Sequence, residues 1–296
     1  MSNKNGLFKN TYRGILNISA KAIGVKRTKE LDARIRFGRR LDLDHPTTLA
    51  DKVSWVELNT DQSIATRLTD KYGVRDFVAQ RGLDDILVPL CGGPWNNASE
   101  IDFDELPNSF VIKATHGCGM NLLVDDKSGL DIPATRKKLN KWLSEDYPRA
   151  CIEPHYQNVP RRLYAEEMLK YSNNIVDYKF HCIDGDPKFV LVCSNREESI
   201  NLSLFDVRWN PLTEHLQNTR ITDPLPKSPA ALPQMVAAAR RLSRGFPFVR
   251  VDLYASENKV FFGEMTFSPA AGVFNHFDDA FIREWGKELD LGEYGN

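Results

Sequence analysis

The sequence predicts an α+β protein with two mixed or antiparallel sheets, and three observations carry that prediction. Segments with helical spacing alternate with strand-like runs. The clearest strand runs come as hairpins, "IVDYKFHCIDGDPKFVLVCSNR" (175–196) and "VRVDLYASENKVFFGEMTF" (249–267). No internal repeat or low-complexity stretch is present. Hairpins imply antiparallel neighbours, whereas a Rossmann-type sheet joins parallel strands through crossover helices. The 296 residues are 42% hydrophobic and 10% aromatic, enough to bury sizeable cores without staples.

The elements are justified in chain order. Residues 1–40 hold eleven Lys or Arg against Glu30 and Asp32, a segment charge of about +9 in a chain whose net charge is −1. Within it "GLFKNTYRGILNISAKAIGV" (6–25) interleaves apolar residues with cations, although its glycines weaken the helix. A solvated helix pair packed on the body fits best. Contact with a membrane surface or an anionic polymer fits next, and no nucleic-acid partner is expected.

Helical spacing follows in "TLADKVSWVELN" (48–59) and "TRLTDKYGVRDFVAQRG" (66–82), with Gly82 as a stop. "DILVPLCGGPW" (85–95) reads as a short strand ending in a Gly-Pro turn, and "SFVIKATHGCGMNLLVDD" (109–126) as strand, glycine-bearing loop, strand. "ATRKKLNKWLSED" (134–146) is an amphipathic helix with Leu139, Trp142 and Leu143 on one side, and "RRLYAEEML" (161–169) a strand ending in acids. The "DGD" turn marks the first hairpin. Helices at 231–246 and 278–290 flank the second. The expected divisions are a basic helical segment (1–44), a helical region (45–108), a small lobe (109–165) and a large lobe (166–296), with the ligand site in a cleft between sheet-based lobes.

Five cysteines, an odd number without a C-x-x-C pair, suggest neither a disulfide framework nor a zinc site, and point to a reducing, cytosolic compartment. No apolar run reaches the length of a membrane span, and no signal peptide is expected.

Two stretches carry chemistry. In "FVIKATHGCGMN", Lys113 sits in an apolar strand that runs into a loop with Gly117 and Gly119. Glycines let backbone N–H groups approach a phosphate while the lysine supplies counter-charge, but a lysine snorkelling beside a turn looks the same. In the 249–267 hairpin, period-two alternation places Arg250, Asp252 and Tyr254 on one face, and Phe262, Glu264 and Thr266 together on the second strand. Two carboxylates and a hydroxyl suit Mg²⁺, which takes few protein oxygens. An Arg250–Glu264 salt bridge with Asp252 facing solvent fits equally well. Glu166 and Glu167 end one strand, and Asp177 and Lys179 share a face of the next.

This order of motifs resembles the ATP-grasp superfamily, and more closely its TupA-like branch, named from teichuronopeptide synthesis. The likeness rests on "LTDKYGVRDFV", "FVIKATHGCGMNLLV", "LYAEEML", "DYKFHCIDGDPKFV" and "FPFVRVDLYASENKVFFGEMTFSP", across about residues 45–290. The resemblance implies an ATP-grasp fold that binds ATP and Mg²⁺. Arg75 falls where a phosphate-binding lysine is usual, Lys113 matches the second nucleotide lysine, and the 115–120 loop, with Thr115, Gly117 and Gly119, becomes a phosphate lid. Glu166 and Glu167 lie near adenine, Met168 and Leu169 offer backbone groups, and Asp177 matches the ribose acid. Lys179 and Arg196 resemble the pair that steadies the phosphates. Arg250 matches the acyl-phosphate arginine, and Asp252 and Glu264 the metal ligands. Thr266 stands where an asparagine is usual, which puts a second metal in doubt.

The implied activity is an ADP-forming carboxylate–amine ligase that amidates a uronic acid or amino acid for a surface polysaccharide. Its partners are an acceptor with a carboxylate and an amine donor. The location is cytoplasmic, with residues 1–40 offering peripheral contact to the inner face of the membrane. A glycosyltransferase would want a D-x-D pair, spelled by "DLD" (42–44) and "DGD" (184–186). A kinase shares every nucleotide residue, and a scaffold with a degenerate site is hinted at by Thr266. "NREESINLSLFDVRW" (195–209) and "FSPAAGVFNHF" (267–277) are the candidate acceptor loops.

Overall fold

The computed structural model describes residues 2–147, 149–169, 176–194, 200–256, 259–292 and 294. In chain order the helices are α1 (Ser2–Ile23), α2 (Val25–Phe37), α3 (Leu49–Asn59), α4 (Ser63–Thr69), α5 (Val74–Gln80), α6 (Ile132–Ser144), α7 (Leu232–Ser243) and α8 (Asp279–Glu288). The strands are β1 (Leu90–Trp95), β2 (Phe110–Ala114), β3 (Asn121–Val124), β4 (Leu163–Glu167), β5 (Asp177–Ile183), β6 (Asp186–Ser194), β7 (Asn201–Asp206), β8 (Arg220–Ile221), β9 (Phe248–Ser256) and β10 (Lys259–Thr266). They form two sheets, as the α+β prediction requires. The chain divides into two compact units, Met1–Gln62 with Pro148–Pro154 and Asn173–Asn296, and Ser63–Tyr147 with His155–Ser172. The expected division at 165/166 falls inside β4.

The first unit holds the six-stranded sheet, in the order β10-β9-β5-β6-β7-β8, antiparallel except for the β7–β8 pair. Ile183 pairs with Asp186, so Asp184 and Gly185 form a two-residue turn with φ of +48° and +76°, the paired positive values a tight hairpin demands. α7 packs on β5, β6 and β9 through Leu232, Met235, Ala238, Ala239 and Leu242. The opposite sheet face carries an apolar core at one end, where Ile183, Phe189, Leu191, Leu204 and Phe248 meet side chains of α3, α8 and the 273–277 segment.

Both helices in that core have defined starts. Thr48 and Asp51 form a capping box at α3, and the Asp278 side chain accepts from the Phe281 N–H at α8. α8 approaches α3 so closely that a Cβ on Gly286 would lie 2.4 Å from the Thr47 carbonyl oxygen and 2.7 Å from the Leu49 nitrogen. Alanine would ordinarily gain about 1 kcal/mol over glycine inside a helix. Here the obstacle is backbone that cannot swing away, so Gly286→Ala should cost about 1–3 kcal/mol. Gly14→Ala in α1, where a Cβ meets nothing within 4 Å, should instead be neutral or stabilising. Urea unfolding of the two variants checks both signs.

The second unit is a four-stranded antiparallel sheet ordered β1-β4-β2-β3. Phe110, Ile112 and Ala114 alternate inward with Leu163 and Ala165 to meet Leu139 of α6, and Trp142 and Leu143 pack against the same core, as the helical spacing predicts. Val111 and Lys113 fall on the other face.

Two expectations are corrected. The 85–95 stretch does not end in a turn: a 3₁₀ turn at Asp84–Ile86 comes first, and both glycines and Pro94 lie within β1. Pro94 is tolerated because β1 is an edge strand. Gly93 has a φ of +97°, and a Cβ there would lie 2.8 Å from the Tyr164 Cα of β4. The 66–82 run is broken into α4 and α5, because the Asp70 carboxylate accepts from the Tyr72 and Gly73 N–H groups and turns the chain.

Candidate functional site

Each unit brings together a cluster of the charged residues that the motifs single out. In the first unit the cluster lies on the sheet face that holds the apolar core. Register places Lys179 opposite Asp252, Asp252 opposite Glu264, and Arg250 opposite Thr266. The alignment of Glu264 depends on an irregularity between Phe262 and Glu264, where Gly263 is extra. A Cβ on Gly263 would lie 3.0 Å from the Asp252 carbonyl and 3.2 Å from the Tyr254 ring, so the bulge needs glycine. This corrects the simple alternation: Phe262 pairs with Leu253 and does not share the Glu264 face.

The Arg250 guanidinium donates from Nε and Nη2 to Asp252, at 2.6 and 2.7 Å, and from Nη2 to Glu264 at 3.2 Å and Thr266 Oγ1 at 3.0 Å. Lys179 donates to Asp177 at 2.6 Å and to Asp252. The salt bridge to Glu264 therefore exists, but Asp252 is buried beneath it at 2% exposure and does not face solvent. Burial opposes its charge, yet Arg250 and Lys179 outweigh burial and hold the Asp252 carboxyl below its usual range. For Lys179 burial likewise favours the neutral amine, and Asp252 overrides it, so the ammonium persists to higher pH.

Asp177, Asp252 and Glu264 set three negative charges against the two cations. The donors available to a metal, Asp252, Glu264 and the Thr266 hydroxyl, are all hard oxygens, with Glu264 one-third exposed. That chemistry fits Mg²⁺, which keeps most of its shell for water and phosphate. Among the described residues, no group of three or more His, Cys, Asp or Glu forms a metal site by itself. Arg196 lies outside the described residues.

A cavity of about 350 Å³ adjoins the cluster, with Lys179 and Arg250 in its lining and Leu191, Ile200, Phe274 and His276 along its walls. It takes in parts of both candidate acceptor stretches. His181, also in the lining, stacks on Phe189 with ring centres 4.5 Å apart. Its Nδ1 lies 3.0 Å from the Lys179 carbonyl oxygen. No local pattern in the sequence signals that His181 borders a cavity.

Burial holds the His181 imidazole neutral, its pKa well below the ordinary histidine value. The unfolded chain takes up a proton there below about pH 6.5 and the folded chain does not, so stability falls as pH drops. The slope is roughly 1 kcal/mol per pH unit. His181→Gln should flatten the decline in melting temperature between about pH 6.5 and 5.

The second unit's cluster centres on Glu166, buried on the face of β4 away from α6. Arg75 from α5 donates to it at 2.9 Å and also holds the Val88 carbonyl at 2.8 Å, while Lys113 donates to its other oxygen. The three were assigned separate roles in sequence, and the structure binds them together. Glu167 is exposed at the end of β4, with Met168 and Leu169 half-buried just beyond.

The 115–120 loop joins β2 to β3. Gly119 adopts a φ of +69° with open space around it. The Thr115 hydroxyl is committed to the Pro160 carbonyl and the Arg162 N–H, a structural part that leaves its side chain buried. His116 is likewise turned inward, with Nε2 3.1 Å from the Trp142 carbonyl. Lys71, beside Arg75 in "DKYGVR", was not among the candidates. Its ammonium donates to the Gly117 carbonyl at 2.7 Å, and so ties α4's C-terminal turn to the glycine loop.

A family model described as TupA-like ATPgrasp matches residues 51–290. The chain belongs to the TupA-like ATP-grasp family. No curated protein matches it. Solved structures similar to this ATP-grasp chain include D-alanine–D-alanine ligase from Bacillus anthracis, at 14% identity and a TM-score of 0.45, covering 77% of this chain and 69% of that one. L-amino acid ligase from Bacillus licheniformis is 11% identical with a TM-score of 0.44, over 77% of this chain and 50% of that one. N5-carboxyaminoimidazole synthase from Aspergillus clavatus, in complex with ADP, is 12% identical with a TM-score of 0.42, over 71% of this chain and 46% of that one. This TupA-like chain thus spans from about half to two-thirds of the length of those proteins. Likenesses this distant leave the chemistry to the residues themselves.

Proposed function

We propose that the chain is an ATP- and Mg²⁺-dependent ligase that joins a carboxylate to an amine and releases ADP and phosphate. The observation that carries this reading is the register-matched set of Asp252, Glu264, Thr266, Arg250 and Lys179 on one sheet face of a TupA-like ATP-grasp protein. Bound Mg²⁺ would neutralise phosphate charge, held by Asp252 and Glu264 with Thr266 beside them. Arg250 and Lys179 present fixed cations to the transferring phosphoryl group and, lining the cavity, to the substrate carboxylate. Arg196 joins them in the role the family resemblance gives it. Asp177 serves the ribose. In the second unit, Arg75, Lys113 and the loop with Gly117 and Gly119 serve the nucleotide phosphates, with Thr115 anchoring that loop, and Glu166, Glu167, Met168 and Leu169 serve adenine. Positioning and electrostatics supply the catalysis, which asks for no nucleophilic side chain.

The substrates in this reading are a uronic acid or amino acid and an amine, in the assembly of a surface polysaccharide at the cytoplasmic face of the membrane. Two D-x-D spellings that a glycosyltransferase would use have structural duties instead. Asp42 accepts from the Asp44 and His45 N–H groups, while Asp184 lies in the hairpin turn and Asp186, the first residue of β6, pairs with Arg240. The test begins with Mg·ATP, which should raise the melting temperature at millimolar concentration. Glucuronate or glutamate with an amine mixture should then release ADP and phosphate. Formation of AMP, or preferential stabilisation by UDP-sugar, refutes the ligase.

A further inference from the structure

Among the described residues, twelve large apolar side chains are exposed, and six of them lie within one short stretch: Ile15, Ile18, Ile23, Val25, Leu31 and Ile35. Ile18 and Ile35 are 70% and 73% exposed, values that no packed helix face would leave. They sit on α1 and α2, which pack against each other. The inward side of this pair is fixed by buried charge. Lys29 pairs with Glu57, and Asp32 accepts from Arg149 and from the Tyr12 hydroxyl. The apolar side chains are therefore held on a platform built into the first unit.

Cations surround them. Of the nine Lys or Arg in residues 11–40, Lys29 and Arg39 are buried in ion pairs with Glu57 and Asp279, and Lys26 and Arg27 pair with Asp44 and Glu30, while Asp32 is engaged by Arg149. Lys21, Arg34, Arg36 and Arg40 are exposed. Exposed aliphatic groups interleaved with unbalanced positive charge match a surface that is both anionic and apolar just beneath. A single-stranded nucleic acid would call for stacking aromatic rings, and the exposed set is aliphatic. A second copy in a two-fold contact would bring the same cations face to face, which opposes association.

We propose that α1 and α2 dock the protein on an anionic bilayer, with the isoleucines reaching the acyl boundary and Lys21, Arg34, Arg36 and Arg40 among the headgroups. Among the described residues no helix is long and apolar enough to cross a membrane, and the contact proposed lies in the plane of the surface. It stands apart from the ligase reading and does not need a substrate to be tested.

The full chain is sedimented with phosphatidylcholine vesicles containing about one-third phosphatidylglycerol, and with phosphatidylcholine alone, at two salt concentrations. Binding should require phosphatidylglycerol and weaken with salt. The double substitution Ile18→Ser/Ile35→Ser should lower affinity about tenfold or more, and Lys21→Glu/Arg34→Glu should do the same, with melting temperatures unchanged since these side chains are exposed. Failure of the unmodified chain to bind overturns the proposal, as does binding that survives loss of the isoleucines, which would be charge adsorption alone. A vesicle-free dimer that Ile18→Ser/Ile35→Ser dissolves assigns the surface to a second copy and overturns it equally.

Discussion

Glu264→Gln should abolish turnover, lowering kcat by about 10²–10³ or more, while melting temperature moves little. The substitution keeps the shape of the side chain and an oxygen for the Arg250 Nη2–H and the Thr266 hydroxyl, which reach Glu264 at 3.2 and 3.3 Å. What it removes is one negative charge from a cluster whose excess of carboxylate over cation is what suits a divalent metal. Glu264 is one-third exposed, so water screens the loss and stability should change by less than about 1 kcal/mol. Release of ADP and phosphate measures the first effect and thermal unfolding the second. Turnover that persists would take the metal role away from β10.

Much of this cluster was legible because its residues come from two hairpins, and hairpin pairing is local. Asp177 and Lys179, or Arg250 and Asp252, share a face by alternation alone. The bulge at Gly263 was not legible, since it depends on the Tyr254 ring and the Asp252 backbone occupying the space of a side chain. Partnerships across long sequence separations were also hidden. Nothing in "DKYGVR" says that Arg75 will grip Glu166, ninety-one residues away, and nothing in the glycine loop says that Thr115 faces inward. The α+β class followed from element order, but the split of 66–82 into two helices turned on one side chain, Asp70, bonding to its own backbone. Residue types and periodicity report faces. They do not report which distant group will compensate a buried charge.

Asp252→Asn separates charge from shape at a nearly inaccessible member of the cluster, the carboxylate that meets both of its cations. Asp252 meets Arg250 twice and Lys179 once, and a neutral amide leaves these two buried cations with one fewer counter-charge. Breaking a buried ion pair from one side costs about 3–5 kcal/mol. Asp177 still holds Lys179, and Glu264 still holds Arg250, so the lower end of that range is expected. Turnover should vanish with it.

The pH dependence distinguishes this loss from a packing defect. The Asp252 pKa is depressed in the folded chain, so its contribution is complete above the unfolded carboxyl pKa of about 4 and disappears as pH falls through the lower folded value. His181 acts in a different window, below about pH 6.5, and it acts equally in both proteins. The stability curves of the unmodified chain and Asp252→Asn should therefore run parallel between about pH 7 and 5, both falling, and draw together only below about pH 4. Curves that stay parallel into strong acid would mean that the variant disturbs packing, and that the carboxylate charge of Asp252 is not what steadies the cluster.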